Sequence, residues 1–243
     1  MMLSERIFKN NKNSKLIGQL IDPGKQPPKS LNKSIEYANK AKIDFFLVGG
    51  SITDKPIDET ILRIKEISKI PVILFPGNLL QLSNKADAIF FLSLISGRNP
   101  ELLIGNHVIA APFLKKSNIE VIPVGYILIE NGKSTSVEYM SFTKPIPGNK
   151  PEIAVATAIA GEMLGLKNIY LEAGSGASEP IDCEIIRQVK NSINIPLIVG
   201  GGIKTLQNLD AVCKAGADIV IIGSAFEENP GQIADFTKHV HSF

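Results

Sequence analysis

Two carboxylates and two glycine turns hold most of the chemistry that this sequence offers. Asp22 closes an apolar run in Asp-Pro-Gly-Lys, and Glu172 closes another in Tyr-Leu-Glu-Ala-Gly-Ser-Gly. A carboxylate at a strand end can hold a cation, take a proton from a hydroxyl or cap a loop amide. Ile195 to Thr205 reads I-P-L-I-V-G-G-G-I-K-T, an apolar run entering Gly200, Gly201 and Gly202. Without a Cβ the amides of such a turn stand uncovered. Close to a helix start, they suit a phosphate dianion. Ile219 to Ser224 repeats the theme as I-V-I-I-G-S, ending in Gly223 and Ser224. One such turn reads better as a tight bend; two after consecutive strands point to phosphate. Rival glycine motifs fail on spacing. Gly174-Ser175-Gly176 lacks the third glycine of a dinucleotide fingerprint, and Gly202-Ile203-Lys204-Thr205 has one residue too many for a nucleotide P-loop.

These residues need a scaffold, and the chain alternates short apolar runs with amphipathic stretches. Strands are expected at Lys15 to Asp22, Asp44 to Val48, Pro71 to Phe75, Ala88 to Leu92, Glu120 to Ile129 and Asn168 to Leu171. The triple-glycine element and Ile219 to Ile222 complete the set. Ser30 and Thr53 are expected to cap the first two helices. Only Pro76 to Asp87 joins the third strand to the fourth, which is short for a crossover, so the third helix should be shortened or missing. Pro100 to Ser117 reads as a helix interrupted near Gly105, and Gly132 to Gly148 as a polar excursion. Pro151 opens a helix with Ile153, Ala156, Ala160 and Met163 on its apolar face. Pro180 to Val189 follows. Thr205 should cap a helix with Leu206, Leu209 and Val212 inward, and Ile233, Phe236 and Val240 mark the last one. The reading is a (β/α)8 TIM barrel, one domain over residues 1–243 with a polar leader at 1–14.

Composition agrees with that class. The 243 residues are 44% hydrophobic, rich in isoleucine as strands covered on both faces require. A net charge of +2 gives no argument for nucleic acid as a partner. With no apolar run of membrane-spanning length and no signal-peptide pattern, the expected location is cytoplasmic. Cys183 and Cys213 fall in expected helices and read as buried, reduced thiols. His107, His239 and His241 lack the spacing of a zinc site.

In such a barrel the C-terminal strand ends face the active site. The polar residues there are Asp22, Ser51, Asn78, Ser93, Ser96, Tyr170, Glu172 and Ser224. Two functions are compatible with them: a phosphosugar isomerase or lyase, and a non-catalytic phosphate-binding barrel.

From about Leu16 to Asn229 the sequence resembles the geranylgeranylglyceryl phosphate synthases, TIM-barrel prenyltransferases. Asp22-Pro23, Val48-Gly49-Gly50-Ser51, Phe75-Pro76-Gly77-Asn78, Tyr170 to Ala177, Gly200 to Ile203 and Gly223-Ser224 carry the resemblance. Phe142 to Gly174, with T-A-I-A-G-E-M-L-G-L-K, is similar to the longer branch of the family rather than the heptaprenyl branch. The resemblance implies that the 3-hydroxyl of sn-glycerol 1-phosphate attacks a prenyl diphosphate, geranylgeranyl diphosphate above all, and releases diphosphate. It implies Mg2+ held by Asp22 and Ser51. Glycerol phosphate would be held by Tyr170, Leu171, Glu172, Ala173, Gly174, Ser175, Gly176, Gly201, Gly202, Gly223 and Ser224. Glu172 and Asp22 would be the catalytic pair, Glu172 orienting the glycerol hydroxyls and taking the proton. It further implies a homo-oligomer and transient contact with a membrane surface for the lipid product. An apolar groove for the tail is expected along Phe90, Leu92, Ile95 and Tyr126.

Overall fold

A computed structural model gives the fold, and it describes residues 3–5, 14–25, 27–53, 55–132 and 134–243. Most of the polar leader expected at 1–14 lies outside the described residues. Eight parallel strands form a closed barrel in sequence order: β1 (Leu16–Ile21), β2 (Phe45–Val48), β3 (Val72–Leu74), β4 (Ala88–Leu94), β5 (Glu120–Leu128), β6 (Asn168–Glu172), β7 (Leu197–Gly200) and β8 (Ile219–Ile222). The helices are α1 (Pro28–Ala41), α2 (Ile57–Ile67), α3 (Asn106–Lys116), α4 (Ser136–Ser141), α5 (Pro151–Met163), α6 (Cys183–Ser192), α7 (Leu206–Ala215), α8 (Ser224–Glu228) and α9 (Ile233–Val240). The chain divides into two compact units. One runs through Phe90 and includes Val108–Ile122 and Ile222–Phe243; the other comprises Phe91–His107 and Pro123–Ile221.

In the first unit, all four residues of β2 are buried, as its F-F-L-V sequence requires of a strand covered on both faces. No side chain caps α1 or α2. Pro27 and Pro56 occupy the cap positions, and Ser30 lies inside the first turn. Proline fixes φ near the helical value, so it starts α1 without a cap hydroxyl. Thr53 instead accepts the Lys55 amide at 3.3 Å in a turn before α2. The third crossover holds only a 3-10 turn, Leu79–Gln81, in place of a helix. Asn78 caps that turn, its side chain accepting the Leu80 amide at 2.9 Å.

In the second unit, Glu101–Gly105 is a turn of π-helix, and α3 begins directly after it at Asn106. The excursion after β5 contains α4, which the sequence reading did not anticipate. Thr135 opens it in a full capping box with Glu138. On α5 the buried residues are Ala154, Ala158 and Gly161, not the expected face: Ile153 is 44% and Met163 82% exposed. A Cβ on either Gly125 or Gly161 would come within 2.8 Å of Ile95 Cδ1. Small residues therefore set the contact face, because the helix lies too close to the strands for large ones. Thr205 caps α7 as expected, accepting the Asn208 amide at 3.1 Å. Leu209 and Val212 are buried, whereas Leu206 in the first turn is partly exposed. Neither cysteine forms a disulfide, and both are on helices; Cys213 is buried, and Cys183, at the start of α6, is only half-buried.

Candidate active site

The end of β6 in the second unit is organised around one buried carboxylate. Strand alternation puts Tyr170 and Glu172 on the same face, and parallel register sets Tyr126 of β5 beside Tyr170 and Gly200 of β7 beside Glu172. The two tyrosine rings meet edge to face at 5.2 Å. Gly200 makes room for the Tyr170 hydroxyl, which a Cβ there would strike. Glu172 is 6% exposed. Its Oε1 accepts the Gly174 amide at 2.7 Å, and the hydroxyls of Tyr126 and Tyr170 donate to the same carboxylate. Burial pushes the Glu172 pKa up, and these three donors oppose the rise. Burial, and then the Glu172 charge, push both tyrosines well above their ordinary value, so they stay protonated donors. A carboxylate has about four acceptor positions. Three donors leave room for a ligand hydroxyl.

The glycine turns crowd this carboxylate. Gly201 and Gly202 have φ of +86° and +70°, which L side chains rarely adopt. A Cβ on Gly201 would lie 2.7 Å from Glu172 Oε1, and one on Gly202 would strike the carbonyl of Glu179. Here the absence of side chains serves close packing against protein atoms, a stronger demand than the uncovered amides expected from sequence. At Gly176 a Cβ would meet nothing within 4 Å, and Ser175 beside it is exposed. Ala173 donates its amide to Gly200 at 3.0 Å, tying the β6 turn to the β7 turn. Leu171 is a correction: alternation turns it to the opposite strand face, where it is fully buried and its side chain only packs. A cavity of about 110 Å³ lies at this end, lined by Glu172, Ala173 and Gly174 together with Asn131, Thr135 and Glu138.

The first unit holds the other predicted residues. Asp22 is 8% exposed; its Oδ1 accepts the Gly24 amide at 3.1 Å, and its Oδ2 lies 3.4 Å from Lys25 Nζ. A Cβ on Gly50 would approach that carboxylate to 2.8 Å, so the turn preceding Ser51 presses against Asp22. Glu227, on α8, accepts the Asp22 amide. Burial pushes the Glu227 pKa up, Lys25 lowers it and the Asp22 charge raises it. Gly223 is not forced to be glycine by space: the nearest atom to a Cβ there is Leu20 Cβ at 3.6 Å. Ser224 is the first residue of α8.

The sequence reading missed Glu227, Gln81 and the hydroxyl role of Tyr126. Alternation of β5 against β6 carries a signal for Tyr126; Ser224 and Glu227 have helix-start spacing, which does not say where Glu227 points. The tail-groove expectation needs correction at two places. Phe90 is fully buried against Phe45 and Phe75, and Tyr126 is committed to Glu172. Among the described residues no helix is long and apolar enough to cross a membrane.

Comparison with known proteins gives a match to the PcrB family over residues 11–241. A geranylgeranylglyceryl phosphate synthase of Spirosoma linguale is 46% identical over 94% of this chain and 92% of its own length. One of Methanosphaera stadtmanae is 45% identical over 95% and 96%. The structure of (S)-3-O-geranylgeranylglyceryl phosphate synthase from Thermoplasma acidophilum, in complex with substrate sn-glycerol-1-phosphate, superposes with a TM-score of 0.94 at 34% identity, covering all of both chains. With its barrel, its buried Glu172 and these likenesses in agreement, the chain belongs to the PcrB family, alongside the geranylgeranylglyceryl phosphate synthases.

Proposed function

We propose that the protein is a prenyltransferase that joins the 3-hydroxyl of sn-glycerol 1-phosphate to C1 of a long prenyl diphosphate, geranylgeranyl diphosphate above all. The O3–C1 ether bond forms as the C1–O bond to diphosphate breaks, its electron pair leaving on diphosphate. The hydroxyl proton passes to the Glu172 carboxylate. The observation that carries this reading is the Glu172 environment, a buried carboxylate already held by three donors and bordered by glycine turns. A base fixed in that way orients a weak nucleophile, and an allylic carbon that ionises partway needs orientation more than basicity. Ser175, Gly176, Gly201, Gly202, Gly223 and Ser224 are assigned to the phosphate.

Mg2+ fits the residues of the first unit. Asp22 and Glu227 bring carboxylate oxygens, joined through the Asp22 amide, and Ser51, whose hydroxyl is a third oxygen donor, follows the Gly50 turn that packs on Asp22. Hard oxygen donors of this kind suit a small divalent cation that keeps some of its waters. When bound, the metal neutralises diphosphate and makes it a better leaving group. Asp22 and Ser51 are assigned to hold it, with Lys25 adding positive charge. Burial of the tail at about 0.8 kcal/mol per CH2 supplies much of the prenyl affinity.

A product assay tests the reading: enzyme, Mg2+, each glycerol 1-phosphate enantiomer and a series of prenyl diphosphates of increasing length. The expected product is the ether of the sn-1 enantiomer, formed fastest with the twenty-carbon donor. No ether with any pair would overturn it.

A further inference from the structure

The first unit contains a buried amide side chain that the proposed reaction does not use. Gln81 ends the 3-10 turn that replaces the third helix, and it is 1% exposed. Its carboxamide oxygen accepts two backbone amides, Gly50 at 3.2 Å and Gly77 at 3.1 Å. Its Nε2 donates to the Gly50 carbonyl at 2.6 Å. One side chain thus takes both polar groups of Gly50 and joins the turn after β2 to the turn after β3. The backbones meet so closely that no side chain fits between them. A Cβ on Gly49 would strike the Phe75 carbonyl, one on Gly77 would strike the Gly50 carbonyl, and one on Gly50 would press on Asp22.

We infer that Gln81 is a positioning residue for the metal side of the site, holding the Gly49-Gly50-Ser51 turn against the Asp22 carboxylate. It touches neither substrate nor metal in this assignment and acts through Gly50. The physical case is one of satisfaction. Three backbone groups, two on half-buried Gly50 and one on exposed Gly77, find their partners in one buried side chain, whose own polar atoms would cost free energy if left unpaired. With its amide and its carbonyl both held, Gly50 has the peptide planes on either side of it fixed, the second of which leads into Ser51. This also explains the missing helix. A regular helix after β3 would satisfy its own backbone, whereas a 3-10 turn capped by Asn78 places Gln81 under two strand-end turns. The departure from barrel regularity is thereby a feature of the site.

The inference rests on the metal assignment above, and its test separates the two. Two variants are made in the full chain: Gln81→Leu, which removes all three hydrogen bonds, and Gln81→Glu, which keeps the acceptor oxygen and loses the donor. Mn2+ binding is measured by electron paramagnetic resonance in the presence of inorganic diphosphate, alongside kinetics, melting temperature and amide exchange at Gly50 and Gly77. The expected result is a Mn2+ affinity about 10- to 100-fold weaker in Gln81→Leu, the usual effect of losing a residue that orients metal ligands. Gln81→Glu should lose less, kcat should fall with it, and KM for glycerol phosphate should hold. Both amides should be protected in the wild type and in Gln81→Glu, which keeps their acceptor oxygen, and exchange faster in Gln81→Leu. Should Gln81→Leu fail to fold, the Gln81→Glu Mn2+ data and the wild-type exchange decide alone. Unchanged Mn2+ affinity in a folded variant, or fast wild-type exchange at both glycines, overturns the inference. If wild-type protein forms no ether but binds Mn2+ in a Gln81-dependent way, the reaction is misread and the positioning role stands.

Discussion

A single oxygen of Glu172 meets the Gly174 amide and the flank of Gly201. That crowding gives Glu172→Gln a sharper meaning than a simple loss of charge. Glutamine keeps one acceptor and adds two donors, so it cannot serve Gly174, Tyr126 and Tyr170 together and still take a proton. We expect kcat to fall by roughly 10² to 10⁴, the weight of general-base help, with a smaller change in KM. The wild-type acid limb of kcat/KM should lie above the ordinary glutamate value, because burial raises the Glu172 pKa. Linkage gives a second readout. With its folded pKa raised, the carboxyl favours folding below the unfolded value, about 4.3, and that contribution is lost as pH rises through the raised folded value. Glu172→Gln should therefore compare better with wild type in melting temperature at pH 8 than at pH 4. Wild-type kcat in the variant would remove Glu172 from the chemistry. For Asp22→Asn we expect a large rise in the Mg2+ needed for half-maximal rate, with glycerol phosphate affinity kept; an unchanged Mg2+ titration would make Asp22 a loop cap for Gly24 alone. Both carboxylates were legible in the sequence from their place after apolar runs. Glu227 was not, because it becomes a neighbour of Asp22 only when α8 folds, and no apolar period announces a five-residue helix.

At the scale of elements, the two glycine turns that look alike in sequence differ in structure. The β7 turn needs glycine for its backbone angles and for packing, so Gly202→Ala should destabilise the protein outright through the Glu179 carbonyl. The β8 turn has no such demand. Gly223→Ala fits with an ordinary contact to Leu20, at a negative φ of −114°. Its melting temperature should stay within about 2 °C of wild type, as a near-neutral substitution predicts. Any loss of glycerol phosphate affinity then reports ligand approach alone. A several-fold rise in KM supports phosphate at this turn; unchanged KM and kcat count against it. The same scale shows where periodicity stops informing. α7 and α9 have one apolar stripe, and Leu209, Val212, Ile233, Phe236 and Val240 are buried as their spacing predicts. α5 is apolar around most of its circumference, so spacing could not choose between Ile153 with Met163 and Ala154 with Ala158. Packing distance chose, and packing distance is absent from a sequence.

At the scale of the whole molecule, the order of strands was legible throughout, because each is a short apolar run ended by polar or glycine residues. The device that pins their N-terminal ends was overlooked. Asp44, Asp87 and Asp218 stand just before β2, β4 and β8, and each accepts the first or second amide of the preceding strand: Ile17 at 2.8 Å, Val72 at 2.8 Å and Leu197 at 2.7 Å. Each returns its own amide to the carbonyl of that same residue. Each also meets a base: His241 at 3.0 Å, Lys65 at 2.7 Å and Lys190 at 2.6 Å. One aspartate is too common to signal this, and the bases come from distant segments. The opposite end of the barrel from the site is where stability is expected to be built. Of the three clamps, the His241 one depends on pH near neutrality. Its hydrogen bond to Asp44 raises the His241 pKa, with burial opposing. The stabilisation is thus fully present below the unfolded value of about 6.5, and is lost as pH rises through the raised folded value. Since α9 packs on α1 and β1, the pair fastens the end of the chain to its first strand. It is half-exposed, so solvent screening keeps its contribution small, below about 1 kcal/mol. His241→Gln should therefore lower the melting temperature by at most about 2–4 °C at pH 5.5 and leave it unchanged at pH 8.5. Turnover should match wild type at both values, because the clamp holds the start of β1 and Asp22 follows its far end. An equal deficit at both pH values would mean that His241 acts by packing, and the titrating clamp would be refuted.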